Sequence, residues 1–450
     1  MPLSAIETSS RNGAPAARLA RLVFLAPQCE WLRVSAIAPV LLFPTVASAL
    51  TVALLSAFLT AWVVQVAAGT FQSPRTPLAV PVGILGVMTV VAVWISPLPD
   101  VSLPKAAGVA LGYLAFRAVV VSVTNRQVLR RAIMLYLFAG FGAVAGGFTA
   151  VAAWVGTDIA TLDVLRSFVP HLISNLPGTY RDDGVNPNAL GGTTLFFLPL
   201  LVILVASRRP AARNTAPDAA AHFDLLPRWI VVLLTFGFGA VLLLSDSKTA
   251  WIAFVVTAIG IAMTRLAPRT RAVVLASAGV AVAAGLIATR SVFADALAGR
   301  RAVWATAVEA IAHAPWVGYG LNVFRRLVQI APPAYSQSPI DTVHAHNVFL
   351  QVALDVGLPG LAAYLAMFIV ALTMCRRIRA SGSRADEALA LGLAANLAAV
   401  HLFGMADAIA LGAKVGLFLW LDLGLIAAAY RLAATGPSAL SGGERPRTAP

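Results

Sequence analysis

The chain has 450 residues, of which 59% are hydrophobic and only 12% charged, with a formal net charge of +14. A soluble domain carries roughly a quarter charged residues, so this composition excludes a soluble globular enzyme, a disordered chain and a disulfide-built secreted scaffold. Its mean hydropathy of +0.83 and its long apolar runs describe an all-α, polytopic integral membrane protein, with room for about a dozen crossings of about 20 residues each.

Residues 1–33 are polar and arginine-bearing, lack a small-residue cleavage signal, and read as a cytoplasmic tail. Apolar segments follow at about 34–49, 50–70, 77–97, 105–124, 131–155, 190–207, 228–244, 249–264, 271–289, 347–375, 386–405 and 412–431. Nine helices thus occupy 34–289, a long loop 290–346, and three more helices 347–431, ahead of a second tail at 432–450. Lysine occurs only at 105, 248 and 414, and the arginines gather in alternate connections. One such connection holds Arg126, Arg130 and Arg131, another Arg265, Arg269 and Arg271, a third Arg376, Arg377, Arg379 and Arg384. This positive-inside pattern places both termini in the cytoplasm and the loops 156–189 and 290–346 outside. It also accounts for the pI of 10.9 without nucleic acid as a partner. Cys29 and Cys375 are too few for a disulfide framework, fall near the inner face, and are expected as free thiols.

The polar residues that such a chain retains carry its chemistry. His344-Ala-His346-Asn347 stands where the second external loop enters the tenth helix, followed by Asp355 and a Gly357-Leu-Pro-Gly360 turn. A neutral histidine there can accept a proton from an alcohol; the competing reading is a plain helix cap at the water interface. Upstream, Arg300 to Ala314 reads as a helix with Val303, Trp304, Ala307 and Ile311 on one side, closed by Pro315 and the turn Gly318-Tyr319-Gly320. Arg300 and Arg301 run against the positive-inside trend. Guanidinium pairs with phosphate oxygens in a bidentate way, although a snorkelling pair on membrane-lipid headgroups would look the same. Two further external patches are Ser245-Asp-Ser247-Lys248, which also reads as a short hydrophilic hairpin, and Arg181-Asp-Asp-Gly-Val-Asn186-Pro-Asn188, a turn feeding a helix with Asn188 as its cap. Three of the four patches contribute cations to the same compartment. Asp422, inside the last helix, is a buried carboxylate with Arg117 as a candidate partner.

His346-Asn347, nine residues and Gly357-x-x-Gly360 resemble the histidine motif of the O-antigen ligase and Wzy-type polymerase superfamily. Arg300-x-x-x-Trp304 with Pro315 and Gly318-Tyr-Gly320, Ser245-x-Ser247-Lys248, and Asn186-Pro-Asn188-Ala189 resemble three further signatures of that family. The likeness covers roughly residues 180–365. The chain departs from the family at Lys248, where arginine is more usual, and at Leu361, where a small polar residue often stands.

The resemblance implies a GT-C-like glycosyltransferase of the bacterial inner membrane that needs no cofactor and no metal. It would move a glycan from an undecaprenyl-diphosphate carrier to a sugar hydroxyl, such as that of lipid A-core, at the periplasmic face with inversion. His346 would be the base and Arg300 the stabiliser of the departing diphosphate. Arg301, Arg181 and Lys248 would help to bind it, with His344, Asn347, Trp304, Asp355, Gly357 and Gly360 in support. The external loops hold no ligand-spaced acidic cluster beyond Asp182-Asp183. A polymerase shares these residues and differs in its acceptor. A lipid-linked oligosaccharide flippase would instead spread ionisable residues and broken helices over both halves of the chain, whereas here they gather at one face of the second half.

Overall fold

A computed structural model describes residues 48–69, 71, 75–149, 186–207, 226–273, 290–326, 344–381 and 383–434. They are helical, and no strand occurs among the described residues. The helices are α1 (Ser48–Ala67), α2 (Ala79–Ile95), α3 (Pro99–Ser122), α4 (Arg126–Thr149), α5 (Pro187–Thr194), α6 (Leu198–Ser207), α7 (Arg228–Leu244), α8 (Lys248–Arg265), α9 (Arg290–His313), α10 (Val348–Ser381), α11 (Arg384–Gly404) and α12 (Gly416–Ala434). Among the described residues, six stretches are long and apolar enough to cross a membrane: α3, α4, the α5–α6 pair, α10, α11 and α12. The segment expected at 34–49 and the tail at 435–450 lie outside the described residues, apart from the first two positions of α1.

α12 is the axis of the bundle, buried from Gly416 to Ala429 and packed on α3 and α10. Small residues bring its backbone close to α3: Gly112 faces the Trp420 indole and Gly424 faces Val119, the means by which membrane helices pack without a hydrophobic drive between them. The outer helices turn apolar side chains outward, including Val80, Val87 and Trp94 on α2 and Trp229 and Phe236 on α7. Exposed apolar surface of this extent suits lipid and not water.

The two ends of the bundle differ in chemistry. At one end Arg126 pairs in a bidentate way with Asp386 at 2.5 and 2.8 Å, Arg431 donates to the Val123 carbonyl, and Arg377 donates to the Tyr430 hydroxyl at 3.1 Å. At the other end lie the first turns of α3 and α10 and the α11–α12 connection, which carries no arginine.

Three local departures from regular helix shape that second end. The span expected as one helix over 190–207 is broken between Thr194 and Leu198. The Tyr136 hydroxyl donates to the Phe196 carbonyl at 2.7 Å and the Asn396 carbonyl oxygen accepts from the Leu200 amide at 3.0 Å, so backbone groups released by the break keep partners in the membrane. Asp422 lies beside the same Tyr136 and Asn396, while Arg117 donates to Gln65 at 3.4 Å and covers the Phe71 ring.

Second, α9 begins at Arg290, ten residues before the helix expected from Arg300. Its buried Val303 and Ala307 form a cluster with Phe324, Ala345 and Leu354, with Ile311 packed alongside.

Third, Gly357 is non-helical and divides α10 into two helices that meet at a kink, where the Gly357-Leu-Pro-Gly360 turn is expected. Gly357 has φ +72°, and the Leu358 amide no longer reaches the Leu354 carbonyl. The freed Leu354 carbonyl accepts from the Tyr319 amide at 2.8 Å and the Leu358 amide donates to the Pro315 carbonyl at 2.7 Å. The Pro315–Tyr319 turn therefore docks into the kink. A Cβ on Gly357 would meet the Trp316 carbonyl oxygen at 2.5 Å, and one on Gly318 the Leu354 carbonyl oxygen at 2.5 Å. Gly357→Ala combines a left-handed φ with this collision and is expected to destabilise the protein by about 2–4 kcal/mol. A melting series in detergent checks this against Gly86→Ala, whose Cβ would meet nothing within 4 Å and which should melt like wild type.

Candidate functional site

Asn347 sets the geometry at the start of α10. Its side-chain oxygen accepts from the Phe349 and Leu350 amides at 2.9 and 3.1 Å, an N-cap, and its amide donates to the Met405 carbonyl at 2.9 Å. The cap thus ties α10 to the α11–α12 connection. His346, immediately before it, has φ +47°. A left-handed histidine is uncommon, and such conformations collect at functional sites.

The tie to Met405 brings Asp407 against both histidines. The Asp407 carboxylate lies 3.3 Å from His344 Nε2 and 3.6 Å from His346 Nδ1, and the two rings are 4.3 Å apart. The His346 amide donates to His344 Nδ1 at 3.1 Å. His344 Nδ1 is therefore an acceptor, which assigns its proton to Nε2, the atom that faces Asp407. His346 Nδ1 is buried and has no hydrogen-bond partner; at 3.6 Å it faces Asp407 at ion-pair range. A proton on Nδ1 would face the carboxylate and leave Nε2 as the basic nitrogen, the division of roles that a buried aspartate imposes on the histidine of a hydrolase triad.

The three groups place ligand atoms within 4.8 Å of one another, a spacing that a metal could use. To ligate through Nε2, His344 would have to shift its proton to Nδ1 and give up the bond from the His346 amide.

Burial holds His344 at a pKa of about 4; the Asp407 charge opposes this, and the charges of His346, Arg300 and Arg325 add to it. Burial raises the Asp407 carboxyl, but the facing His346 and His344 rings and the Ala408 amide outweigh it and leave the group below its ordinary range. An unfolded histidine takes up its proton near pH 6.5, whereas folded His344 resists until about pH 4. Stability is therefore full above pH 6.5 and declines as the pH falls toward 4. Melting temperatures between pH 7 and pH 5 should show this decline, and His344→Asn should flatten it.

Gln351, which the motif reading passed over, joins this cluster to the rest of the site. It accepts from the Ala345 amide at 2.9 Å and donates to Asp355 at 2.8 Å, and Asp355 also accepts from the Asn322 amide at 2.9 Å. Asp355 is thus a buried tie between α10 and the segment after Gly320. Trp304, one turn beyond Arg300 on α9, donates to the His346 carbonyl at 3.4 Å. Arg300 is half-buried and close enough to act on His344, while Arg301 is exposed. Gly360 packs on Val356 and α2.

The remaining residues belong to other elements. Lys248 is exposed at the start of α8, whose cap is Ser247. Its turn rests on α5: Gly191 abuts Ser247 and Ser245, and the neighbouring Gly192 abuts Phe403 of α11. α5 therefore stands between Lys248 and the α11–α12 connection. Asn186, and not Asn188, caps α5, accepting from the Asn188 amide at 2.8 Å; Pro187 takes the first helical position, where its missing amide is harmless. Arg181 and Asp182-Asp183 lie outside the described residues. Of the two cysteines, Cys375 is a buried free thiol and Cys29 lies outside the described residues.

Residues 230–365 match the family model described as O-antigen ligase. This stretch of the chain is similar to the O-antigen ligase family. The match includes Lys248, Arg300, Trp304, both histidines, Asn347 and Gly357-x-x-Gly360, and it stops short of Asp407. No curated protein matches the chain. The match spans less than half of the chain and supports ligase- or polymerase-type glycan transfer by a membrane protein.

Proposed function

We propose that the protein is an inverting, metal-independent glycosyltransferase that moves a glycan from undecaprenyl diphosphate to an acceptor hydroxyl, of lipid A-core in the ligase case, at the periplasmic face of the inner membrane. The observation that carries this reading is the His344–His346–Asp407 cluster beside Arg300, in a chain with a stretch similar to the O-antigen ligase family. His346 Nε2 takes the proton of the acceptor hydroxyl, and Asp407 stabilises the imidazolium that results. The oxygen attacks the anomeric carbon as the carbon–oxygen bond to the diphosphate breaks, and Arg300 holds the developing negative charge. No step requires a divalent ion when guanidinium supplies this charge. The sidedness is supported by the arginine-rich connections at the opposite end of the bundle.

The test is incubation of the purified protein with a lipid-diphosphate glycan, with and without lipid A-core, followed by sizing of products. Glycan joined to lipid A-core is the expected result. Longer lipid-linked glycan without it would instead identify a polymerase, and no product in either arm would overturn the reading.

A further inference from the structure

The Pro315–Tyr319 turn belongs to a stretch that reads in the sequence as an external loop, yet it meets two membrane helices at the point where they stop. Helix α2 has 17 residues, about 25 Å at the helical rise, and Arg75 stands ahead of it. The second limb of α10, from Leu358 to the Arg376-Arg377 pair, is about 27 Å long. Both lengths approach the hydrocarbon thickness of about 30 Å, so each helix runs from an arginine-bearing end to the opposite boundary of the bilayer. The turn touches both of them there. On α10, the Leu358 amide donates to the Pro315 carbonyl at 2.7 Å. At the end of α2, a Cβ on Gly320 would lie 2.8 Å from the Ser96 hydroxyl and 3.0 Å from the Ala92 carbonyl oxygen. The Ser96 hydroxyl is 2.7 Å from that of Ser102, which donates to the Leu321 carbonyl at 3.1 Å.

The side chains at this level are aromatic and apolar. Val80, Val87, Val90 and Trp94 form an exposed row on one face of α2, at helical spacing, and this lipid-facing row ends on Trp94, which is 85% exposed. The turn sets a second indole at the same boundary: Trp316 is 71% exposed, and Leu358, bonded to the turn, is exposed as well. Residues 315–319 are Pro-Trp-Val-Gly-Tyr and carry no charge. The charged end of α9 is kept apart in kind, with exposed His313 facing exposed Glu309 at 3.8 Å. An indole has an apolar body and one N–H donor, and tryptophan and tyrosine accordingly collect where hydrocarbon meets the headgroups.

We propose that the Pro315–Tyr319 turn is a membrane-interface anchor, with the Trp316 indole seated at the headgroup–acyl boundary of the leaflet opposite the arginine clusters, level with Trp94. Its partner is the phospholipid bilayer itself, reached as a continuation of the lipid-facing surface of α2. The turn also holds the α10 kink through Pro315 and Tyr319, so the anchor sets the depth at which α10 leaves its long limb and turns toward Asn347. The inference is independent of the glycan-transfer reading and needs no turnover for its test.

The experiment reconstitutes the full-length protein, carrying Cys29→Ala and Cys375→Ala, into vesicles of phosphatidylcholine and phosphatidylglycerol. Trp316→Cys, Trp94→Cys and Glu309→Cys are introduced singly and labelled with an environment-sensitive fluorophore. Quenchers are lipids spin-labelled on the headgroup, high on the acyl chain or at its end, and iodide in the water. The labels at 316 and 94 should lose most of their emission to the headgroup and upper-chain quenchers, less to the chain-end quencher and little to iodide. The label at 309 should lose its emission to iodide. A label at 316 that iodide quenches as readily as the one at 309, and that lipids leave untouched, places the turn in water and overturns the anchor. Protection of that label from lipid and iodide alike means that protein, such as a second copy of the chain, covers the turn, which overturns it equally. Size-exclusion profiles identify any variant that fails to fold. Should Trp316→Cys be lost, Trp316→Phe keeps the ring and removes one of the nine tryptophans. Brominated lipids should then quench less tryptophan emission in Trp316→Phe than in wild type, and equal quenching in the two overturns the proposal.

Discussion

Replacing His346 with alanine is expected to lower glycan transfer by about 10²–10⁴-fold, the range for removal of a general base, with the protein still folded and inserted. Helix α10 should survive the change because Asn347, and not His346, caps it. His344→Ala should be milder, since His344 reaches the chemistry only through its hydrogen bond to the His346 amide and its contact with Asp407. Asp407→Asn tests the orientation of the base: it removes the charge opposite His346 Nδ1 and should lower kcat while leaving donor KM near wild type. It should also displace the acid limb of the pH–rate profile toward higher or lower pH, a change that a purely structural aspartate would not produce. Equal and small losses for both histidines would reduce His346 to part of a helix start and sink its role as base.

Arg300 is expected to be nearly as sensitive. Arg300→Ala removes the charge proposed to face the departing diphosphate and should abolish most transfer, by about 10²–10³-fold if the loss matches that of a single oxyanion donor. Arg300→Lys keeps the charge but not the planar fork and should stay well below wild type. Arg301 projects about 100° away around the helix and is exposed, so Arg301→Ala should retain most activity. EDTA should change none of these values, because the proposed step assigns the charge on the diphosphate to a guanidinium and not to a metal. Turnover of the three variants with and without chelator is the measurement. A harmless Arg300→Ala, or strong inhibition by EDTA, would move the diphosphate elsewhere.

The linear chain reports what depends on local pattern. Apolar runs of membrane length, separated by arginine clusters, establish an α-helical membrane protein, because each backbone group in lipid must be satisfied within its own helix. Spacing along one helix is equally legible. His346 before a capping asparagine and Arg300 one turn before Trp304 both follow from helical period, and the stretch similar to the O-antigen ligase family covers these positions.

What the linear chain cannot report is which distant groups a bend or a break brings together. Gly357-Leu-Pro-Gly360 has the composition of a turn, but the hydrogen bonds that hold its kink in α10 come from the Pro315–Tyr319 segment, which only the fold brings there. The α5–α6 span looks continuous until Tyr136 and Asn396 take up its released backbone groups. Asp407 has no motif around it. It becomes the partner of His346 only when Asn347 binds the Met405 carbonyl and carries the α11–α12 connection to the start of α10. Periodicity belongs to single helices and is written in neighbouring residues. The electrostatics of the site arise between helices, where a half-buried charge acts strongly on groups remote in sequence because little water lies between them.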